Sequence, residues 1–348
     1  SNEDLKEVSS IGFTVHNIVV SDPTIFTEEN IKEIKEKFHK NSLLIGNSRG
    51  RYGGGLVNPD ENIRKETITF VKNTCVVSAK IGCHSTYLRP GSINPNGPWQ
   101  PHPENHSDEV FERLINSTKD IASVAESEGM LLLLEGAYVS PIFSAKRAKE
   151  FIDAVGSKNL KFNQDPVNFI SNLEQAYNTK DFLEEFFTLL GEHTISADLK
   201  DFTVVDSLLL RFEEEYLGSG MMDQVYFLKR MQEICPDAHI LIEHIPREKF
   251  EPSYAETLKF SEKAGINTKH SIYTGNYESI KDLSIALDKK CYINLDDISS
   301  FNRLKQIGLP DRISFRLNPG FGKGSFSGIT TGGKNAKFGI PAEKIISR

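Results

Sequence analysis

No run in this 348-residue sequence approaches the roughly 20 apolar residues that a bilayer crossing needs, so no membrane span is expected. Positive charge is also in short supply: 41 Lys and Arg stand against 48 Asp and Glu, a net of -7. A chain of that sign repels polyphosphate, which argues against nucleic acid or an anionic membrane surface as partner. Cysteine is sparse and scattered. Cys75, Cys83, Cys235 and Cys291 form no C-x-x-C pair and read as reduced packing residues of an intracellular protein. No basic-then-apolar signal segment opens the chain, so a cytoplasmic location is expected, and the start at Ser1-Asn2 without Met suggests a processed, tagged or excised chain. Internal repeats and low-complexity tracts are lacking. The remaining composition, 38% hydrophobic and 26% charged, is that of an ordinary folded protein and excludes collagen-like, coiled-coil and wholly disordered classes. The length suits one (β/α) barrel with a partial extra unit.

Short β-rich apolar runs alternate with amphipathic helical stretches, the pattern of βαβ units around a parallel sheet, and a TIM-type (β/α)8 barrel is its natural closure. Strands are expected at Phe13 to Val20, Ser42 to Ile45, Ser85 to Arg89, Met130 to Glu135, Leu160 to Asn163, His193 to Leu199 and His239 to Glu243. Helices are expected at Glu28 to His39, Asp60 to Ile81, Ser107 to Glu128, Ala145 to Val155 and Met222 to Cys235. The stretch from Arg89 to Pro103 holds five prolines and two glycines and must be a loop or lid. It carries the only tryptophan, Trp99, with His102 and His106 nearby. These could hang over the barrel mouth, or the loop could simply be a surface feature pinned by its prolines.

Most of these strands end in polar or charged residues, and barrel active sites lie at strand carboxyl ends. Glu135, Asp165, Asp198 and Glu243 occupy equivalent places in successive units. Any one alone is readily a carboxylate capping the next helix. Four converging in one pocket would repel one another unless a divalent cation neutralised them. All-oxygen donors suit Mg2+ or Mn2+, and an imidazole from His193 or His244 would move the preference toward Mn2+, Co2+ or Zn2+.

The segments Ile81-Gly-Cys-His-Ser-Thr-Tyr, Leu132-Leu-Leu-Glu-Gly, Asn159-Leu-Lys-Phe-Asn-Gln-Asp-Pro-Val-Asn, Asp198-Leu-Lys-Asp and Leu241-Ile-Glu-His resemble successive strand motifs of the xylose-isomerase-like sugar isomerases and epimerases. The resemblance covers about residues 11 to 251. It implies a metal-dependent enzyme in which Glu135, Asp165 and Glu243 are ligands. It also implies that Glu135 and Glu243 shuttle a proton on opposite sides of a substrate carbon through an enediolate. Asp198 stands where the family usually has His; the change keeps a ligand and adds a negative charge, which either raises affinity for a hard cation or marks a lineage that binds metal poorly. His84, Trp99, Lys200 and His244 become the candidate substrate-binding residues, and Asp201 completes the Lys-Asp pair after the third ligand. The first strand of the family barrel, with most of its helix, is expected to be missing, because Ser10-Ile-Gly-Phe-Thr-Val-His-Asn looks like the second.

A second resemblance follows. Ser271-Ile-Tyr-Thr-Gly-Asn, Ile293-Asn-Leu-Asp-Asp-Ile-Ser-Ser, Ile313-Ser-Phe-Arg-Leu-Asn-Pro-Gly and Thr331-Gly-Gly-Lys-Asn-Ala-Lys-Phe-Gly-Ile are similar to the middle of the barrel in diaminopimelate-decarboxylase-like enzymes dependent on pyridoxal phosphate (PLP). That family's Schiff-base lysine motif has no counterpart here, which argues against bound PLP. Lys72 lies in a helical pattern instead, and Gly320-Phe-Gly-Lys-Gly-Ser lacks Walker spacing. The expected organisation is therefore a hybrid of two barrel families: residues 1–252 isomerase-like, residues 253–348 a decarboxylase-like βα segment that completes or extends the barrel. The leading functional expectation is a metal-dependent isomerase or epimerase of a small sugar, sugar phosphate or polyol. The alternatives are a fragment or chimaera related to the PLP decarboxylases, and a non-catalytic engineered or vestigial barrel scaffold. The expected partner is a small carbohydrate, and a homo-oligomer is left open.

Overall fold

Leucine fills every position from 131 to 134. Because successive strand side chains point to opposite faces, a strand here must be covered on both sides. It is: Leu132, Leu133 and Leu134 are all fully buried. The computed structural model describes residues 2–266, 272–273, 279–288, 291–318 and 339–341, and it divides into a unit spanning Ser1–Phe260 and another spanning Ser261–Arg348.

In the first unit, α1 (Asn2–Ile11) precedes β1 (Val15–Val20), α2 (Glu28–Lys40), β2 (Leu44–Gly50), α3 (Glu61–Ile81) and β3 (Ser85–Leu88). α4 (Asp108–Ser127), β4 (Leu131–Leu134), α5 (Ala145–Val155), β5 (Leu160–Gln164), α6 (Leu173–Tyr177), α7 (Thr179–Leu190) and β6 (Thr194–Leu199) follow. A hairpin of β7 (Asp201–Val204) and β8 (Phe212–Glu215) then interrupts the alternation before α8 (Gln224–Ile234), β9 (His239–Ile242) and α9 (Phe250–Lys263). Seven strands pair in parallel in the order β1-β2-β3-β4-β5-β6-β9, forming a nearly closed TIM-type barrel wrapped by helices. The helices start and stop where side chains dictate. Ser107 and Ser144 cap α4 and α5 by accepting backbone N–H bonds from Val110 and Arg147, while Gly82 (φ +88°) and Gly156 (φ +72°) take the left-handed turns that end α3 and α5.

The expectation of a missing first strand meets a sheet whose two edges are β1 and β9. Side chains link them: the Tyr254 ring on α9 lies 5.0 Å from Phe13, and Arg247 pairs with Asp4 at 3.1 Å and with Glu7, both on α1. Inside the barrel a polar layer runs between strands: Asn47 Nδ2 donates to Ser196 Oγ (3.1 Å), and Ser85 Oγ donates to Asn47 Oδ1 (2.9 Å). That layer explains one difference from the expected strands. Polar Asn47 lies in that layer and the adjacent Ser48 is buried on the opposite face, where Ser78 Oγ on α3 donates to its Oγ (2.6 Å), so β2 runs on to Gly50 instead of stopping with the apolar run at Ile45.

In the second unit, β10 (Ile272–Tyr273), β11 (Tyr292–Leu295) and β12 (Ile313–Phe315) form a parallel sheet of their own, with α10 (Ile280–Asp288) and α11 (Ile298–Ile307) between them. Leu283, Ala286, Ile293, Leu295 and Leu304 make its core. β13 (Leu317–Asn318) pairs with β14 (Ile340–Pro341), and buried Asp296 accepts from Gly339 N (3.1 Å) and Arg316 (3.4 Å) beside that pair. Ser271, the residues from Thr274 to Asn276, and the glycine-rich run from Gly320 to Phe338, including Gly320-Phe-Gly-Lys-Gly-Ser, lie outside the described residues.

Candidate metal centre

Each barrel strand hands the chain to a loop at its carboxyl end, and the acidic residues stand at those exits. Glu135 follows β4, Asp165 follows β5, Asp198 is the penultimate residue of β6 and Glu243 follows β9. One oxygen from each of the four lies within 4.8 Å of the others, and among the described residues they form the one group of three or more acidic, His or Cys side chains close enough to hold an ion. Asp165 and Asp198 are buried, Glu135 nearly so, and Glu243 is partly open.

Their hydrogen bonds are incomplete in a patterned way. Asp165 Oδ2 accepts from Lys200 Nζ (2.7 Å) and from Asn168 Nδ2, and Asp198 Oδ2 accepts from Asn163 Nδ2 (2.6 Å). Asp165 Oδ1 and Asp198 Oδ1 are buried with no partner, as is Asn163 Oδ1. A buried carboxylate oxygen without a donor carries a large desolvation cost unless something cationic faces it. Burial, together with the like charge of Glu243 and Asp165, pushes the Glu135 carboxyl up to about 7. Asp165 is pushed up to about 6 by burial, which outweighs the pull of Lys200, and Asp198 stands well above the usual carboxylate range for the same reason. Burial works against the charge on Lys200, but Asp165, Glu243 and Asp198 together hold it above its usual value.

The structure brings Lys200 and His244 to the acidic group. Lys200 Nζ lies 3.2 Å from Glu243 Oε2, and His244 Nε2 lies 3.6 Å from the same oxygen. His244 adopts a left-handed backbone (φ +54°), uncommon outside glycine, and its Nδ1 bonds Glu214 Oε2 at 2.7 Å. That hydrogen bond raises the His244 pKa and lowers that of Glu214. Trp99 is partly exposed in the loop after β3, and the fully buried Asn105 pins that loop by bonding Ser92 Oγ (2.8 Å) and the Val139 carbonyl (2.7 Å).

His84 is not brought to the site. β3 begins one residue after it, so His84 stands at the amino end of the strand. Its ring centroid is 4.8 Å from His239, at the amino end of β9, in a cavity of about 420 Å³ shared with Lys35, Phe38 and His39. This corrects its expected place in a sugar site. His193 likewise precedes β6 and lies beside Glu192 (3.2 Å), away from the strand ends. Lys72 is on α3, 3.7 Å from Asp120.

Several participants carried no strong sequence signal. Asn163 and Asn168 flank Asp165 in the Asn-Gln-Asp-Pro-Val-Asn segment, and that clustering was their only mark. Glu214 reaches His244 from a hairpin 30 residues earlier, which no spacing rule finds. Arg89 and Tyr87 belong to the same end of β3: the Arg89 guanidinium lies 5.1 Å over the Tyr52 ring, and the buried Tyr87 hydroxyl has no hydrogen bond of normal geometry. The Arg89 charge opposes the rise at Glu135.

Comparison with known proteins agrees with this architecture. Residues 5–264 match the family described as "Xylose isomerase-like TIM barrel", and residues 248–347 match "Pyridoxal-dependent decarboxylase, pyridoxal binding domain". A xylose isomerase-like TIM-barrel protein from Mycobacterium smegmatis, solved in complex with magnesium, superposes with a TM-score of 0.60 at 13% identity, covering 76% of this chain and 87% of that one. D-psicose 3-epimerase from Clostridium cellulolyticum H10, solved with D-tagatose, gives 0.57 at 17% identity, covering 76% and 93%. At such identities the likeness is one of fold. The diaminopimelate decarboxylase of Thermoplasma acidophilum is 42% identical over 83 residues, 24% of this chain; the match spans only 20% of that relative's length.

Proposed function

Because the chain belongs to the xylose isomerase-like TIM-barrel family, we propose that its barrel unit is a metal-dependent isomerase or epimerase of a small sugar, sugar phosphate or polyol. One observation carries the reading: four carboxylates meet within 4.8 Å at the carboxyl end of the barrel, and two of their buried oxygens have no partner. The donor set fits a hard divalent cation, Mg2+ or Mn2+, with Glu135, Asp165, Asp198 and Glu243 as its holders. Bound there, the ion would act as a Lewis acid toward a substrate carbonyl and hydroxyl.

The chain's own residues supply the proton handling. Glu135 is the first member of an acid-base pair: burial and like charge raise its carboxyl to about 7 in the cation-free site, and a bound ion would draw it down, holding it as the carboxylate that takes the carbon-bound proton. Glu243 is the other member of the pair, with one oxygen 3.2 Å from the Lys200 ammonium and its side chain partly open to the mouth. Asn163 and Asn168 hold Asp198 and Asp165 in register, so the carboxylates do not have to reorganise when a cation or substrate enters.

The test is proton exchange. In D2O with Mn2+ or Mg2+, free ketoses, their phosphates and keto-bearing polyols are followed by NMR for loss of a carbon-bound proton beside the carbonyl. Cation-dependent exchange into one class supports the reading, and its absence across the panel, with no cation-dependent stabilisation, rejects it. The second unit favours a separate reading through its 42% identity to a diaminopimelate decarboxylase: a remnant pyridoxal-binding region. An absorbance band at about 420 nm after adding PLP to the full chain would support an aldimine, and no band would remove that reading.

A further inference from the structure

Lys200 is an unusual neighbour for a cation site. Its ammonium lies 2.7 Å from Asp165 Oδ2, 3.1 Å from Asn168 Oδ1 and 3.2 Å from Glu243 Oε2, and its side chain is 2% exposed. Two of the four carboxylates therefore already face a buried positive charge that the fold fixes in place. The other two, Glu135 and Asp198, have no ammonium or guanidinium bonded to them among the described residues. From this geometry we infer that Lys200 is an internal counter-ion: it holds the cation-free site together and keeps the affinity for a divalent ion below what four carboxylates alone would give. The inference rests on the cation-site reading above and adds to it what limits occupancy.

Like charges a few ångströms apart in a poorly polarisable interior repel strongly, so an ion entering the group meets Lys200 as an opponent. Conversely, removing one member of a buried ion pair leaves its partners uncompensated, so without Lys200 the cation-free state suffers most and an incoming ion relieves more. Both effects move affinity in one direction.

The full chain, Lys200→Met and Lys200→Arg are titrated calorimetrically with Mn2+ alone, with melting temperature followed in parallel. Lys200→Met is expected to melt lower without cation, to bind Mn2+ at least roughly tenfold tighter, and to gain more in melting temperature on binding. Lys200→Arg keeps the charge and is expected to bind no tighter than the unaltered chain. Equal or weaker binding by Lys200→Met, or equal tightening in both variants, overturns the inference. Should Lys200→Met fail to fold without cation, its refolding is titrated with Mn2+: recovery below the Kd of the unaltered chain supports the inference, and no recovery overturns it. If neither the unaltered chain nor either variant binds Mn2+, the cation-site reading falls and this inference with it. If the unaltered chain binds and Lys200→Met matches it, the inference alone falls.

Discussion

Asp198 and Asp201 are three residues apart, both buried, and they differ in what surrounds their oxygens. Asp201, at the start of β7, accepts four backbone N–H bonds of 3.0 Å: Oδ1 from Phe202 and Met222, Oδ2 from Gly218 and Gly220. Asp198, at the barrel mouth, has one donor on Oδ2 and none on Oδ1, and Asp165 across the site is equally one-sided, with Lys200 and Asn168 both donating to Oδ2 and nothing to Oδ1. Burial tends to raise all three carboxyls, but at Asp201 the four backbone donors pull the other way. A buried acid that only builds structure is saturated by the chain itself. One that leaves acceptors facing inward among other acids is arranged for something the chain does not supply.

The sharpest way to break this contrast is chemical. Glu243→Gln keeps shape and removes the proton-accepting oxygen; solvent-proton exchange into a responsive substrate should fall about 10²- to 10⁴-fold with circular dichroism unchanged. Unchanged exchange would strip Glu243 of its assigned role. Next come the aspartates themselves. Asp165→Asn or Asp198→Asn should abolish stabilisation by Mn2+. Asp201→Asn, which turns an amide N–H toward two backbone donors, should lower baseline stability by about 2 kcal/mol or more while leaving the cation response intact. Denaturant titration with and without Mn2+ separates the two outcomes, and a uniform effect across the three sites would erase the distinction.

A pH titration tests the same contrast with no mutation. Glu135 and Asp165 take protons at about 7 and about 6 in the folded chain, against ordinary values of 4.5 and 3.8. Across that interval these two groups hold more protons in the folded than in the unfolded state, so their contribution to the stability of the cation-free protein is fully present below about pH 4 and is lost as pH rises through 6 and 7. Cation binding displaces those protons, so Mn2+-induced stabilisation should grow from pH 5 to pH 8. A cation-free melting temperature that rises over this range would contradict the assignment. The smallest effect belongs to the opposite end of the barrel: His84→Ala should leave the Mn2+ response unchanged, and loss of that response would restore His84 to the site.

Much of this was legible in the residues. Alternation gave the βα units, and the single acid at each strand exit marked the four that converge, because strand ends are where a parallel barrel presents side chains. What stayed hidden depends on cross-strand register and long-range turns. Lys200 reaches Asp165 across 35 residues, and Glu214 reaches His244 across 30. His84 was expected at the site through the resemblance alone: the expected strand already opened at Ser85, as β3 does, and a residue just before a barrel strand stands at its amino end, away from the carboxylates. The β7–β8 hairpin escaped notice since Phe202 and Phe212 alternate too briefly with charged neighbours to stand out.

One measurement bears most directly on the central claim: the number of Mn2+ ions bound per chain, counted by equilibrium dialysis for the unaltered protein and for Asp165→Asn/Asp198→Asn. One ion per unaltered chain and none in the double variant is the predicted result. No bound ion in the unaltered chain, or an ion retained by the double variant, would contradict it.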